Sequence, residues 1–179
     1  MSGNLSSTAQ GSESRGKVLV TGAAGFLGRH LVRRLAADHQ VVAVTRSAPQ
    51  PVDRNLAGAR FTGAAVSAGA RGSIEFERCE LTDFDSVRAL LEQHRPDRVF
   101  HLAGYAEGAP GIEHVLPSFE GDLRTTVNLL TASVDRVSQR VVLAGSLEEP
   151  DERHPASSPY AIAKRACLAY AEGFRDLYR

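Results

Sequence analysis

The chain has 179 residues, of which 42% are hydrophobic and 23% charged, as is typical of a single globular domain. Lysine plus arginine and aspartate plus glutamate both number 21, so the net charge is zero and sequence-independent nucleic-acid binding is not indicated. No apolar run is long enough to span a membrane and residues 1–15 lack the apolar centre of a secretory signal, so we expect a cytoplasmic protein.

Short apolar runs alternate with helical periods after residue 15. Residues 1–15 are rich in serine and glycine, which predicts a disordered tail. The predicted strands are 17–21, 41–45, 74–79, 98–102 and 140–144, and the predicted helices are 25–38, 83–94, 119–137 and 158–178. Residues 46–73 contain Pro49 and Pro51 and show little periodicity, so we expect a long loop there.

This alternation of strand and helix predicts an α/β fold with parallel strands and right-handed crossovers. We expect a Rossmann-type doubly wound sheet of about five strands in the order 3-2-1-4-5, occupying residues 16–179 as one domain. Strand three is comparatively polar, which favours an edge position, and strand five is expected at the opposite edge. Ligands bind beyond the carboxyl ends of the strands in such sheets, so those ends are where a site is expected.

Three glycines follow the first predicted strand and open the first predicted helix. Gly22, Gly25 and Gly28 permit a tight turn, close approach of the backbone to a pyrophosphate, and close packing of helix on sheet. The helix N-terminus adds free N–H groups that attract phosphate. The sequence therefore predicts a dinucleotide site at this turn.

The stretch T-G-A-A-G-F-L-G at 21–28 resembles the cofactor turn of the extended short-chain dehydrogenase/reductases, the NAD(P)-dependent epimerase/dehydratase family. The resemblance runs from about residue 16 to residue 179. It implies cofactor contacts by Phe26 and Leu27 as well as by the three glycines. It also implies that Glu80 and Leu81 hold the adenine and that three residues after strand four lie against the cofactor, namely Leu102, Ala103 and Gly104.

The end of the second strand bears on which dinucleotide is bound. An NAD site usually has a carboxylate there, which bonds the ribose 2′-hydroxyl. Thr45 stands at that place and Arg46 follows it. A guanidinium binds a 2′-phosphate, so NADP is favoured, with NAD as the second choice. Arg46 as a solvated loop residue is the alternative.

Tyr160 and Lys164 are four residues apart and share one face of the last predicted helix. A nearby ammonium stabilises a phenolate, which makes a tyrosine useful for acid–base chemistry near neutral pH. Ser146 ends the fifth strand, where the resemblance implies a hydroxyl that bonds the substrate oxygen. The family chemistry so implied is hydride transfer at a carbinol carbon, with Tyr160 moving the proton and Lys164 also holding the nicotinamide ribose.

Glu148 lies two residues after Ser146, a spacing that resembles the proton-abstracting glutamate of sugar-nucleotide 4,6-dehydratases. A solvated loop carboxylate is the alternative. His101, inside the fourth strand, is expected to be a packed core residue. Cys79 and Cys167 are too few for a disulfide framework or a zinc cluster, so buried reduced thiols and no metal are expected.

The sequence departs from the family pattern in three places. Ser146 and Tyr160 enclose a short loop without the usual Tyr-Gly pair, and Asp122 stands where the family uses an asparagine. Family members also continue beyond the Tyr–Lys helix into a C-terminal substrate lobe. We therefore expect that lobe to be absent here, which would make the chain an engineered fragment, a truncated paralogue or one half of a two-chain enzyme.

Two hypotheses of function follow. The first is an NAD(P)-dependent oxidoreductase of the epimerase/dehydratase type that acts on a nucleotide-activated sugar. The second is a non-catalytic or half-enzyme dinucleotide-binding subunit, which needs a partner chain for the substrate lobe. The resemblance implies a homodimer, and a heteromer with such a partner is the alternative.

Overall fold

The structure is a computed structural model that describes residues 16–47 and 72–178. The predicted tail at 1–15 and most of the predicted loop at 46–73 lie outside the described residues. None of the helices within the described part of the chain is long and apolar enough to cross a lipid bilayer.

Five parallel strands form one sheet in the order β3-β2-β1-β4-β5, which confirms the predicted fold class and strand order. The strands are β1 (Lys17–Thr21), β2 (Gln40–Thr45), β3 (Ser73–Arg78), β4 (Arg98–His101) and β5 (Arg140–Leu143). Among the described residues β3 and β5 are the two edge strands, as their sequences predict. The carboxyl ends of β1, β2 and β4 therefore lie side by side at the centre of the sheet.

The inner residues of β1 and β2, 18–20 and 41–44, are apolar because helices cover both faces of the sheet. The helices are α1 (Phe26–Leu35), α2 (Phe84–His94), α3 (Val115–Ser118), α4 (Thr125–Ser133) and α5 (Pro159–Leu177). Val18 and Val20 of β1 pack on the face that α1 covers, whereas Leu19 belongs to the core that includes Leu91 of α2 and Leu129 of α4. This alternation holds the carboxyl end of β1 rigidly between two cores.

Side-chain caps define where α2 and α5 begin. The Asp83 carboxylate accepts a hydrogen bond from the Ser86 N–H at 3.1 Å, and the Ser158 hydroxyl accepts one from the Ala161 N–H at 3.1 Å. Pro159 at the first position of α5 needs no hydrogen-bond partner there. These caps fix the start of α5, which carries Tyr160 and Lys164.

The prediction of a regular helix over 119–137 is wrong at both ends, and the segment is not α-helical throughout. The helical segment begins with a 3₁₀ turn at Ile112–His114, continues through α3, passes through a π-helical turn at Phe119–Arg124 and ends with α4 at Ser133. It ends there because Val134 is extended and Asp135 has a φ of 62°. The 3.6-residue period of an α-helix does not predict the π turn, because a π turn contains an extra residue and changes the face that later residues occupy.

Candidate functional site

The glycine turn after β1 can be built only from glycine at two positions. Gly22 has a φ of +66°, and a Cβ on it would lie 2.7 Å from the Ala103 backbone nitrogen. A Cβ on Gly28 would collide with the Gly22 carbonyl oxygen. The turn therefore packs against the segment after β4 on one side and against the first turn of α1 on the other.

Helix α1 presents backbone rather than side chains to this end of the sheet. Its N-cap residue is Gly25, which has no side chain to compete for the N–H groups of the first turn. The side chains of Phe26 and Leu27 are 71% and 63% exposed, so their contribution to a ligand at this turn would come from backbone N–H groups. Such an array suits a pyrophosphate.

The Thr21 hydroxyl joins the end of β1 to the end of β4. It accepts hydrogen bonds from the N–H groups of Leu102 at 3.2 Å and Ala103 at 3.3 Å. Its own hydrogen is then available for His101 Nδ1, 2.7 Å away, which assigns the His101 proton to Nε2, a buried atom without a hydrogen-bond partner among the described residues. Burial first and the Lys164 ammonium second lower the pKa of His101 to about 4, so the ring is neutral. His101 is buried, as predicted.

A cleft of about 820 Å³ opens beside this turn, at the carboxyl ends of β1, β2, β3 and β4. Its volume lies within the range of small-molecule and cofactor sites. The predicted site residues that line it are Gly22, Gly25, Arg46, Glu80, Leu81, Leu102, Ala103 and Gly104. The structure thus brings most of the expected cofactor contacts into one concave surface, where Gly22 and Gly104 allow the backbone to pack closely on neighbouring segments.

Arg46 lines the cleft at the end of β2, and Arg78 lies next to it, outside the lining. The Thr45 hydroxyl donates to the Ser47 carbonyl at 2.7 Å, so this buried threonine is satisfied within its own turn. Arg46 is exposed, and its carbonyl accepts a hydrogen bond of 3.3 Å from Arg78 Nε at the end of β3. The Glu80 carboxylate accepts from both the N–H and the hydroxyl of Thr82. The end of β2 thus offers positive charge and no carboxylate of its own.

Tyr160 and Lys164 lie on the first two turns of α5, and both are half-buried. The Lys164 Nζ is 5.9 Å from the centroid of the Tyr160 ring. Neither residue belongs to the lining of the cleft within the described residues. Lys164 is nevertheless close enough to influence His101, which directly precedes the cleft-lining residues after β4. The pair therefore lies outside the cleft lining, near the end of β4.

The loop after β5 is held by its own glutamates. The Ser146 N–H donates to Glu149 Oε1 at 2.7 Å, and the Ser146 hydroxyl accepts from the Glu148 N–H at 3.2 Å. The exposed Glu148 carboxylate accepts a weak hydrogen bond of 3.5 Å from the Ser158 hydroxyl, the cap of α5. These contacts join the end of β5 to the start of α5 and so place Ser146 and Tyr160 on neighbouring segments.

Asp122 is the buried carboxylate of the site, with only 2% of the residue exposed. The π turn directs it inward, where its Oδ1 accepts from the Tyr105 N–H at 3.4 Å. Gly104 lies against the same oxygen, since a Cβ there would be 2.5 Å from it. Burial raises the pKa of Asp122, although the Lys164 ammonium acts in the opposite direction.

A group with metal-binding residue types lies away from the cleft, on β3 and α2. The buried His94 ring has Nε2 3.2 Å from a Glu77 oxygen and Nδ1 3.8 Å from a Glu75 oxygen. Of these two contacts only that between Nε2 and Glu77 is within hydrogen-bond distance, and the two carboxylates face different ring nitrogens, whereas a metal would bind one nitrogen. The absence of a metal site stays a prediction.

The sequence did not predict that several further residues belong to the site. Thr21 and Arg78 end their strands, a position that could have marked them, whereas Tyr105 and Thr125 line the cleft only because of the turn after β4 and the π turn. The two cysteines are free and buried. Cys79 lines the cleft, and burial first, then neighbouring carboxylates, raise its pKa to about 11.

Comparison with known proteins identifies relatives that are about twice as long. The chain is 30% identical over 176 residues to UDP-glucose 4-epimerase of Mycolicibacterium smegmatis, covering 90% of this chain and 52% of that protein. It is 31% identical to UDP-glucuronic acid decarboxylase 1 of Xenopus tropicalis, over 91% of this chain and 36% of that one. The chain thus spans about half the length of the curated relatives it matches.

The chain also matches solved structures of proteins that are about twice as long. UDP-glucose 4-epimerase of Thermus thermophilus in complex with NAD superposes with a TM-score of 0.69 and 28% identity, covering 90% of this chain and 51% of that one. MoeE5 in complex with UDP-glucuronic acid and NAD has a TM-score of 0.66 and 29% identity, over 89% and 49%. The model of the NAD dependent epimerase/dehydratase family matches residues 18–179. The chain therefore belongs to the NAD dependent epimerase/dehydratase family.

Proposed function

We propose that this chain binds an NAD(P) cofactor and takes part in an oxidoreductase reaction on a nucleotide-activated sugar. The observation that carries the proposal is the 820 Å³ cleft at the carboxyl ends of the strands, whose lining includes Gly22, Gly25 and Gly104. Backbone N–H groups at the start of α1 would bind the pyrophosphate. When bound, the nicotinamide supplies the acceptor or donor of hydride.

Side chains and backbone of other segments would bind the remaining parts of the cofactor. Glu80 and Leu81 would hold the adenine at one end of the cleft, and the segment 102–104 would lie against the other end. Lys164 would hold the ribose nearest the reacting carbon and stabilise the Tyr160 phenolate. Its Nζ, 5.9 Å from the Tyr160 ring centroid, supports this pairing.

Tyr160 would move the proton of the carbinol, and Ser146 would bond the same oxygen. Glu148 would remove a second proton if the reaction includes elimination of water. The Glu148 carboxylate is exposed and makes only a weak contact of 3.5 Å with the Ser158 hydroxyl, so it is accessible to a substrate.

NADP is our first choice of cofactor and NAD the second. Arg46 and Arg78 meet at the end of β2 and β3, and Thr45 leaves this end of β2 without a carboxylate. Two guanidinium groups favour a 2′-phosphate. The two solved relatives described above are complexes with NAD, which supports the second choice.

The substrate class follows from the relatives, whose names specify UDP-glucose and UDP-glucuronic acid. The second candidate is a non-catalytic dinucleotide-binding subunit that relies on a partner chain for the substrate lobe. We propose a homodimer or such a heteromer. A cytoplasmic location agrees with the two free, buried cysteines.

Fluorescence titration with NADPH and NADH, followed by assay with UDP-glucose and UDP-glucuronic acid, tests the proposal. We expect saturable binding, and Tyr160→Phe should keep that binding while turnover falls by about 10²–10⁴-fold. Unchanged turnover in Tyr160→Phe would disprove the catalytic assignment. Cofactor binding without turnover of either sugar would favour the binding subunit, and no binding of either nucleotide would refute both candidates.

A further inference from the structure

Asp122 is a buried carboxylate with one oxygen that no described residue satisfies. Its Oδ1 is held by the Tyr105 N–H at 3.4 Å and lies against Gly104. Its Oδ2 is buried and has no hydrogen-bond partner among the described residues. Such an oxygen is costly to bury as a free charge, so a positive group should stand nearby.

The last helix supplies that group. Cys167 of α5 donates from Sγ to the Asp122 carbonyl at 3.5 Å, so the π turn packs directly on α5. Lys164 lies three residues before Cys167 and hence on the same helix face. The Lys164 ammonium lowers the pKa of Asp122, against the larger effect of burial, and it also lowers the pKa of His101.

Among the titratable groups around Asp122, namely His101, Lys164, Cys167 and Glu149, the positive charge is that of Lys164. His101, from β4, is buried and neutral. Cys167, from α5, is a thiol whose pKa is raised, chiefly by burial. Glu149, from the loop after β5, bonds to the Ser146 N–H. Among the described residues, the charged groups around Cys167 are therefore one ammonium, that of Lys164, and two carboxylates, of which Asp122 is the buried one.

Lys164 also faces Tyr160, with its Nζ 5.9 Å from the ring centroid. An ammonium alone favours the phenolate, whereas an ammonium beside a carboxylate does so less, because the two charges oppose each other. We propose that Asp122 is a positioning residue that acts through Lys164: its carboxylate offsets the ammonium charge and keeps Tyr160 in its protonated, proton-donating form. This inference rests on the acid–base role of Tyr160 in the proposed function.

The ultraviolet absorbance of tyrosinate during a pH titration tests the inference without any need for activity. The chain has four tyrosines, so the Tyr160 signal is the part that Tyr160→Phe removes in each background. In Asp122→Asn we expect Tyr160 to ionise at lower pH, with its ionisation constant raised about tenfold, which corresponds to one pKa unit of coupling. Asp176→Asn, an exposed carboxylate near the end of α5, is the matched control and should leave the Tyr160 signal unchanged.

A folded Asp122→Asn protein in which Tyr160 ionises at the same or a higher pH would overturn the inference. Asp122→Ser keeps a hydroxyl for the Tyr105 N–H and removes the charge, so it must show the same downward shift if Asp122→Asn does not fold. The result is separable from the proposed function. A shift of the Tyr160 signal in a protein that binds neither NADPH nor NADH refutes only the function, whereas binding without a shift refutes only the role of Asp122.

Discussion

Thr21 Oγ1 lies 2.7 Å from His101 Nδ1, although 80 residues separate the two in the chain. The same hydroxyl accepts the N–H groups of Leu102 and Ala103, so one side chain satisfies the backbone at the point where β4 turns toward the cleft. Thr21 and His101 are both buried, and water cannot replace these hydrogen bonds. The geometry at the carboxyl ends of β1 and β4 therefore depends on this contact.

Replacing Thr21 with valine should lower the free energy of unfolding by about 1–3 kcal/mol, because buried donors and the His101 ring lose their partner while the volume is conserved. Denaturation with urea measures the change. Thr131→Val is the control, since the exposed Thr131 hydroxyl bonds only the Val127 carbonyl of its own helix. Equal stabilities of the two variants would contradict this account of Thr21.

The neutral state of His101 predicts a dependence of stability on pH. Burial, aided by Lys164, lowers its pKa from 6.5 to about 4 in the folded state. Between these pH values the unfolded chain binds a proton that the folded chain does not, so the free energy of unfolding falls as the pH falls from about 6.5 to about 4. Above that window this group contributes no pH dependence.

We therefore expect His101 to account for a loss of about 2 kcal/mol between pH 7 and pH 5. Urea denaturation at the two pH values measures it in the unchanged protein and in His101→Gln, whose side chain does not titrate. The loss should be smaller in His101→Gln by that amount. The same loss in both proteins would assign the pH dependence to other groups.

The crowding at Gly28 predicts that alanine there disrupts the cofactor turn. A Cβ would meet the Gly22 carbonyl, so Gly28→Ala should lower the free energy of unfolding by about 1–3 kcal/mol and weaken NAD(P)H binding. Gly173→Ala is the matched control, because a Cβ on Gly173 of α5 meets nothing within 4 Å. That substitution should stabilise the helix slightly, by about 0.5–1 kcal/mol. If Gly28→Ala binds NAD(P)H as tightly as the unchanged protein does, the close approach of residue 28 to the Gly22 carbonyl does not matter for cofactor binding.

The guanidinium groups at the end of β2 and β3 predict the cofactor preference. Arg46→Ala should weaken NADPH binding about tenfold or more, as expected for the loss of a charge-assisted hydrogen bond, and leave NADH binding nearly unchanged. Added salt should weaken NADPH binding more than NADH binding. Arg34→Ala, an exposed arginine on α1, is the control for loss of charge. A chain that binds NADH more tightly than NADPH before substitution would instead establish NAD as its cofactor.

The amino-acid sequence by itself determined the order of elements, the parallel sheet and the cofactor turn. These depend on local signals, such as the apolar runs of β1 and β2, the spacing of Gly22, Gly25 and Gly28, and the α-helical spacing of Tyr160 and Lys164. The strand order was predictable because right-handed crossovers leave few arrangements of such a chain. Hydrophobic periodicity therefore defined the fold to within a few residues at most element ends.

Only the tertiary structure decided how the site is assembled. The Thr21–His101 contact and the meeting of Arg46 with Arg78 join residues that are far apart in the chain, and such pairings leave no periodic trace in the sequence. The burial of Asp122 depends on a π turn, which changes the face of the helix by one residue and which regular helical spacing does not predict. The position of Asp122 beside α5 therefore follows from packing of the π turn on that helix.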